Sequence, residues 1–178
     1  MSKNVKHYLI TALILGCIAM AGGALIGATN LITKDRIAQN EKQKIKDGII
    51  ALFGEDIVTN EETNIVGNDK YLDWYCIIND TNNSLKGYAF KTTGSNMYGK
   101  ISMLVGITAS YDIGHIVLIT NEQSYATTVV DAYVTPYNNG ERNLDDVVCG
   151  ASYGATLIKD MANEAKSWAD TNLKGGNA

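Results

Sequence analysis

From Tyr71 to Thr120 the chain reads YLDWYCIINDTNNSLKGYAFKTTGSNMYGKISMLVGITASYDIGHIVLIT, and this stretch decides the fold class. Tyr71–Asn79 is aromatic and β-branched, Asp80-Thr81-Asn82-Asn83 supplies turn chemistry, and Leu85–Thr93 returns as the hairpin partner. Ile101–Thr108 and Ile113–Thr120 are two more apolar strands, joined by a short loop around Ser110-Tyr111-Asp112. Upstream, residues 33–53 place Ile37, Ile45, Ile49, Leu52 and Phe53 at helical spacing between charges, until Gly54 breaks the pattern. Downstream, residues 121–144 are polar and aromatic and read mostly as loop, with a helical turn near Val129–Tyr133. Residues 153–170 form a second amphipathic helix with Leu157, Ile158, Met161, Ala162, Ala165, Trp168 and Ala169 on one face, and Lys174-Gly175-Gly176 ends it. The expectation is an α+β domain, a mostly antiparallel sheet flanked by helices.

Ahead of that domain, residues 8–33 carry no charge. As a helix they span about 39 Å at ~1.5 Å per residue, more than the ~30 Å hydrocarbon core requires. Lys3 and Lys6 precede the segment and Lys34 and Arg36 follow it, so charge alone does not orient it. A short tail before the span and a large domain after it is the usual layout with the N-terminus inside. A cleaved signal peptide would have an apolar region of roughly 7–15 residues, and Ile26 spoils the small-x-small site that would end at Ala28. Ile14-Leu15-Gly16-Cys17 loosely resembles a lipoprotein box, but apolar sequence continues beyond Cys17. An uncleaved transmembrane helix is favoured. The division is therefore a tail over 1–7, a transmembrane helix over 8–33, a membrane-exit amphipathic helix over 34–54 and the outer domain over 55–178. Gly23-xxx-Gly27 would let a partner helix approach closely, and glycine is also simply common in membrane helices.

With 178 residues, 46% apolar and 19% charged, the chain reads as ordered and globular. Its net charge of −4 and scattered Lys and Arg leave no basic stripe for nucleic acid. Cys17, Cys76 and Cys149 form neither a disulfide framework nor a CxxC metal site. Cys76 and Cys149 are either two isolated thiols or a bridge in an oxidising space. His115 is an isolated histidine at a strand start, read as structural.

The chemistry sits in Asp146-Val147-Val148-Cys149-Gly150-Ala151-Ser152-Tyr153-Gly154-Ala155-Thr156. Two small residues precede a hydroxyl residue at the mouth of a helix. They leave the Ser152 hydroxyl accessible to a modifying enzyme, while the helix offers free N–H groups and its positive dipole end to a phosphate. The same pattern also reads as an ordinary N-cap on Ser152 or Thr156.

This segment resembles the attachment motif of the FMN-binding domain family, D-x-x-[ST]-G-A-[TS]-hydrophobic-[ST], and in particular the G subunit of Rnf-type ion-translocating ferredoxin:NAD oxidoreductases. Asp146 matches the acidic position, Gly150-Ala151 the small pair, Ser152 the acceptor and Tyr153 the apolar position. Residues 31–40 resemble the family's membrane-exit helix, Gly87-Tyr88-Ala89-Phe90 its first core strand, and Tyr98-Gly99-Lys100-Ile101 with Met103–Ile107 the strand pair beside the flavin. The departures are Cys149 in place of Ser or Thr, Gly154 in place of a second hydroxyl residue, and Glu122-Gln123-Ser124-Tyr125 in place of Glu-Thr-Pro-Gly. A rival register puts the acceptor at Thr156, but loses the acidic residue six places upstream.

The resemblance implies FMN bound covalently through a phosphoester on Ser152, with Thr156 as fallback. Cys149, Gly150, Ala151, Asp146, Tyr153, Tyr98, Gly99 and Glu122 would lie around it, without metal or separate catalytic residue. It implies an electron-carrying subunit of a translocase rather than an independent enzyme, with electrons passing between ferredoxin and NAD and Na+ or H+ moving across the membrane. Its partners would be the other membrane subunits, membrane lipid and a flavin transferase for maturation. The location implied is the bacterial cytoplasmic membrane, with the domain on the extracytoplasmic side. Two alternatives are a degenerate structural subunit that carries no flavin, and an anchored extracellular binding module suggested by the Tyr- and Asn-rich stretch Tyr125–Asn139.

Overall fold

The computed structural model describes residues 3–67 and 69–174, so Gly175 and Gly176 of the expected chain end lie outside the described residues. By contact the chain divides into two units, Met1–Gln43 and Lys44–Ala178. Helix α1 (Lys3–Phe53) supplies the first unit and opens the second.

In the first unit, Lys6–Thr29 is a 24-residue run apolar enough to cross a membrane, with none of it buried in the protein. At ~1.5 Å per residue it reaches about 36 Å. Leu9, Leu13, Leu15, Ile18, Leu25 and Ile26 are each more than half exposed. So large an apolar surface calls for lipid or partner helices around it. The Thr11 and Thr29 hydroxyls donate to carbonyls four residues back, at 3.0 and 2.8 Å, which satisfies them without water.

In the second unit α1 runs to Phe53; the Gly54 N–H closes the last turn by donating to the Ile50 carbonyl at 2.7 Å, and its φ of 90° turns the chain out of the helix. Two short strands, β1 (Val58–Thr59) and β2 (Thr63–Asn64), both pair with β3 (Leu72–Asn79). Next come β4 (Leu85–Asn96), β5 (Gly99–Thr108) and β6 (Ile113–Asn121), and the order β1-β3-β4-β5-β6 is antiparallel at every pairing. The four long strands lie where alternation and turn residues predict them. Asp80 Oδ1 accepts from the N–H groups of Asn82 and Ser84, both at 2.8 Å, and so shapes the β3–β4 turn.

Both sheet faces are covered. On one, helix α4 (Ser152–Asn172) lays Leu157, Ile158, Met161, Ala162, Ala165 and Ala169 over Tyr88, Phe90, Ile101, Met103, Val105 and Ile107. On the other, Ile49, with Ile45, Leu52 and Phe53 partly buried beside it, covers Trp74, Cys76, Ile78, Ala89, Leu104 and Ile119. Each large side chain so buried contributes roughly 1.5–3 kcal/mol. A register shift between Leu72 and Trp74 explains why Leu72 joins the first cluster and Trp74 the second, against strict alternation.

The segment after β6 differs from expectation. It is helical from Ala126 to Asn138, as α2 (Ala126–Val129), a π-helical turn (Val130–Val134) and α3 (Thr135–Asn138), where a loop with one turn was read. Pro136 lacks an N–H and would collide with the carbonyl four residues back, and the wider π turn relieves that conflict. Buried Val129, Tyr133 and Val134 hold the segment on the first cluster.

Candidate functional site

The site lies where the start of α4, the tip of the β4–β5 hairpin and the chain leading into α2 meet. A cavity of about 320 Å³ opens there, lined by Tyr98, Gln123, Tyr125, Val129 and residues 150–154. That is within the ~300–1,000 Å³ usual for small-molecule sites.

The approach to α4 is held from both sides. Arg142 Nη1 donates to the carbonyls of Asp146 at 2.9 Å and Val148 at 3.2 Å, and its Nε lies 3.7 Å from Asp146 Oδ2. The Tyr133 hydroxyl, pushed well above its ordinary pKa chiefly by burial, donates to the Leu144 carbonyl. Gly150 then turns the chain at φ 76°, a left-handed conformation that disfavours other residues. Ala151, 8% exposed, packs inward as the N-cap and makes no side-chain cap bond. Ser152 is therefore the first helical residue and not the cap, which departs from the N-cap reading. Its hydroxyl has no hydrogen-bond partner among the described residues, and neither does its own N–H or that of Tyr153. The next two N–H groups, of Gly154 and Ala155, both donate to the Ala151 carbonyl at 3.0 and 3.1 Å. Thr156 falls in the second turn of α4, outside the cavity wall.

Tyr98, Tyr125 and Tyr153 form an aromatic rim. The Tyr98 ring centroid lies 6.1 Å from that of Tyr125 and 5.4 Å from that of Tyr153. No residue lining the cavity carries a formal charge at neutral pH. Gly99 has no room for a side chain, since a Cβ there would come within 2.2 Å of the Glu122 carbonyl oxygen. At Gly154 a Cβ would come within 2.6 Å of Val129 Cγ2, so the second hydroxyl residue of the motif has no place here.

Of the residues singled out in the sequence, Tyr98, Gly150, Ala151, Ser152 and Tyr153 line one cavity. Asp146, Cys149, Gly99, Glu122 and Thr156 do not. Asp146 is turned to Arg142, Glu122 is exposed, and Cys149 packs against the first core cluster. The sequence reading had no place for Asn96 and Val129, nor for Gln123 beyond its position in the Glu122–Tyr125 loop. All three cysteines are free thiols, and burial, with the Glu62 charge adding, pushes Cys76 up to about 12. Cys76 belongs to the opposite face of the sheet from the cluster Cys149 touches. His115 is exposed on β6, away from this cavity.

No curated protein matches the chain. Residues 1–48 match the family model described as the RnfG N-terminal region, a segment that ends before the sheet and the cavity begin. Over residues 1–48, which include the apolar run Lys6–Thr29, the chain is thus similar to the N-terminal region of RnfG.

Proposed function

We propose that the chain is the electron-carrying subunit of an Rnf-type complex, holding FMN as a phosphoester on Ser152 at the extracytoplasmic face. The observation that carries this reading is the Ser152 hydroxyl, unpartnered among the described residues and set in the cavity wall. The free N–H groups of Ser152 and Tyr153, at the positive end of a 21-residue helix, would hold the phosphate of such an ester. Such placement is worth roughly 0.3–1 kcal/mol when exposed, and up to ~2 when partly buried. The rim tyrosines offer planar apolar faces to an aromatic ring system.

Bound there, FMN supplies the one- and two-electron chemistry of its ring, and the protein holds and tunes it. Gly150 and Ala151 keep the approach to Ser152 Oγ clear. Gly99 and Glu122 act through the backbone, shaping the hairpin wall on which Tyr98 sits. Arg142 and Tyr133 hold the loop behind Ser152, to which Asp146 lends its backbone carbonyl and Cys149 its packing on the core. The other membrane subunits would pass electrons to and from this carrier while the complex moves Na+ or H+, and a flavin transferase would make the bond.

A structural subunit without flavin is the second reading, favoured by one observation: the Asp146 carboxylate faces Arg142 and not the cavity. The two separate on a denaturing gel of the full chain made with an active flavin transferase. In-gel flavin fluorescence is expected for the wild type and Thr156→Ala, and none for Ser152→Ala. A dark wild-type band beside a fluorescent control protein overturns the carrier reading. Loss in Thr156→Ala alone moves the site by one turn.

A further inference from the structure

Gln123 is 6% exposed, yet it lines the cavity. Its amide orientation is set by neighbours whose own polarity leaves no choice. Its Nε2 donates to the Gly99 carbonyl, which can only accept, so nitrogen and not oxygen faces β5. The same Nε2 lies 3.0 Å from Asn96 Oδ1. Asn96 is fixed in turn, because its Oδ1 accepts from the Tyr98 N–H at 2.8 Å and its Nδ2 donates to the Tyr153 carbonyl at 3.0 Å. Every hydrogen of the Gln123 amide is spent on holding the hairpin tip.

Its oxygen is left over. Gln123 Oε1 accepts from no group among the described residues, and Thr92 Oγ1 alone among them is both unpartnered and sealed from solvent. Oε1 therefore meets the cavity. A Cβ on Gly154 would sit 3.4 Å from it, which places this acceptor over the first turn of α4, two residues from Ser152. A nearly buried carbonyl oxygen without a protein donor keeps its acceptor capacity for whatever occupies the cavity. A ligand that brings a hydroxyl satisfies it.

We infer that Gln123 is a binding residue for the polyol chain of the flavin, its Oε1 accepting from a ribityl hydroxyl. This rests on the reading of Ser152 as the attachment point. The polyol is the part of FMN joined directly to the phosphate, so an acceptor beside the first turn of α4 faces hydroxyls before it faces the ring. Gln123 would thus select for ligands with a hydroxylated chain over bare aromatic rings of the same shape.

The test uses the full chain in detergent, made without a flavin transferase and titrated with FMN, riboflavin and lumiflavin, the last having the ring but no polyol. Fluorescence quenching reports each affinity, for the wild type and for Gln123→Met. The expected result is about tenfold weaker binding of FMN and riboflavin to Gln123→Met, the equivalent of ~1.4 kcal/mol, with lumiflavin unchanged. Equal weakening of all three ligands overturns the inference, because it assigns Gln123 only the hairpin. No weakening of any overturns it as well. If none of the three binds the wild type, the inference falls together with the flavin cradle, and the covalent bond to Ser152 is then judged on the gel alone.

Discussion

Gly154 is the residue at which packing and local preference oppose each other most directly. In a helix interior an alanine is favoured over glycine by roughly 0.8–1 kcal/mol, the most that the propensity could contribute at this first-turn position. Here the added methyl would lie 2.6 Å from Val129 Cγ2, and Val129 is itself only 1% exposed and held in the core cluster. Overpacking of this kind costs about 1–3 kcal/mol. The clash should win, so Gly154→Ala is expected to destabilise the domain by about 1 kcal/mol, read as a lower urea midpoint with an unchanged slope. A more stable variant would mean that α2 yields and that the contact between α2 and α4 is loose. Cys76 is a simpler case: a thiol raised to about 12 stays protonated at neutral pH, and a nucleophilic role for it has no support in this fold.

At the scale of elements, the loop from Arg142 to Ala151 decides where Ser152 points. It has no regular structure, and its shape depends on one guanidinium bridging two carbonyls and on the Tyr133 hydroxyl reaching Leu144. The ion pair with Asp146 adds little, because that carboxylate is 56% exposed and screened. Arg142→Ala should therefore cost roughly 1–2 kcal/mol through the lost carbonyl bonds, and Asp146→Asn much less. Cleavage of native protein by trace protease at 143–149, with slower flavin attachment, should appear in Arg142→Ala and be slight in Asp146→Asn. The reverse ranking would restore the acidic residue to the central role the motif suggests. The same elements mark what could be read in advance. Strands β3 to β6 were legible because β-branched runs alternate with unambiguous turns such as Asp80–Asn83. Helix α4 was legible from its Leu157-Ile158-Met161-Ala162-Ala165 face. The strands β1 and β2 are two residues each, too short to carry a period. Residues 126–138 were hidden because Thr127, Thr128, Val129 and Val130 are poor helix formers and Pro136 reads as a breaker, while the burial of Tyr133 and Val134 that favours the helix is tertiary. Ser152 was visible as a motif. Gln123 was not, since its importance comes from hydrogen bonds to Asn96 and Gly99, more than twenty positions away.

For the molecule as a whole, α1 serves two solvents with one continuous helix. Its run Lys6–Thr29 suits a membrane, while Ile45, Ile49, Leu52 and Phe53 close one face of the sheet. The second compact unit accordingly begins at Lys44 and not at the helix end. A fragment over 44–178 keeps both core clusters complete and drops the exposed apolar run, so it should fold as a soluble monomer without detergent. A fragment over 55–178 keeps the sheet and α4 but uncovers Trp74, Cys76, Ile78, Ala89, Leu104 and Ile119 together. Burial of those side chains at roughly 25 cal/mol per Å² is then lost on one whole face, a loss comparable with the 5–15 kcal/mol stability of an ordinary domain. The shorter fragment should aggregate or bind a hydrophobic dye, and thermal unfolding followed by circular dichroism should show a cooperative transition only for 44–178. If 55–178 unfolds with the same midpoint, the last ten residues of α1 are a lever on the domain and no part of its core.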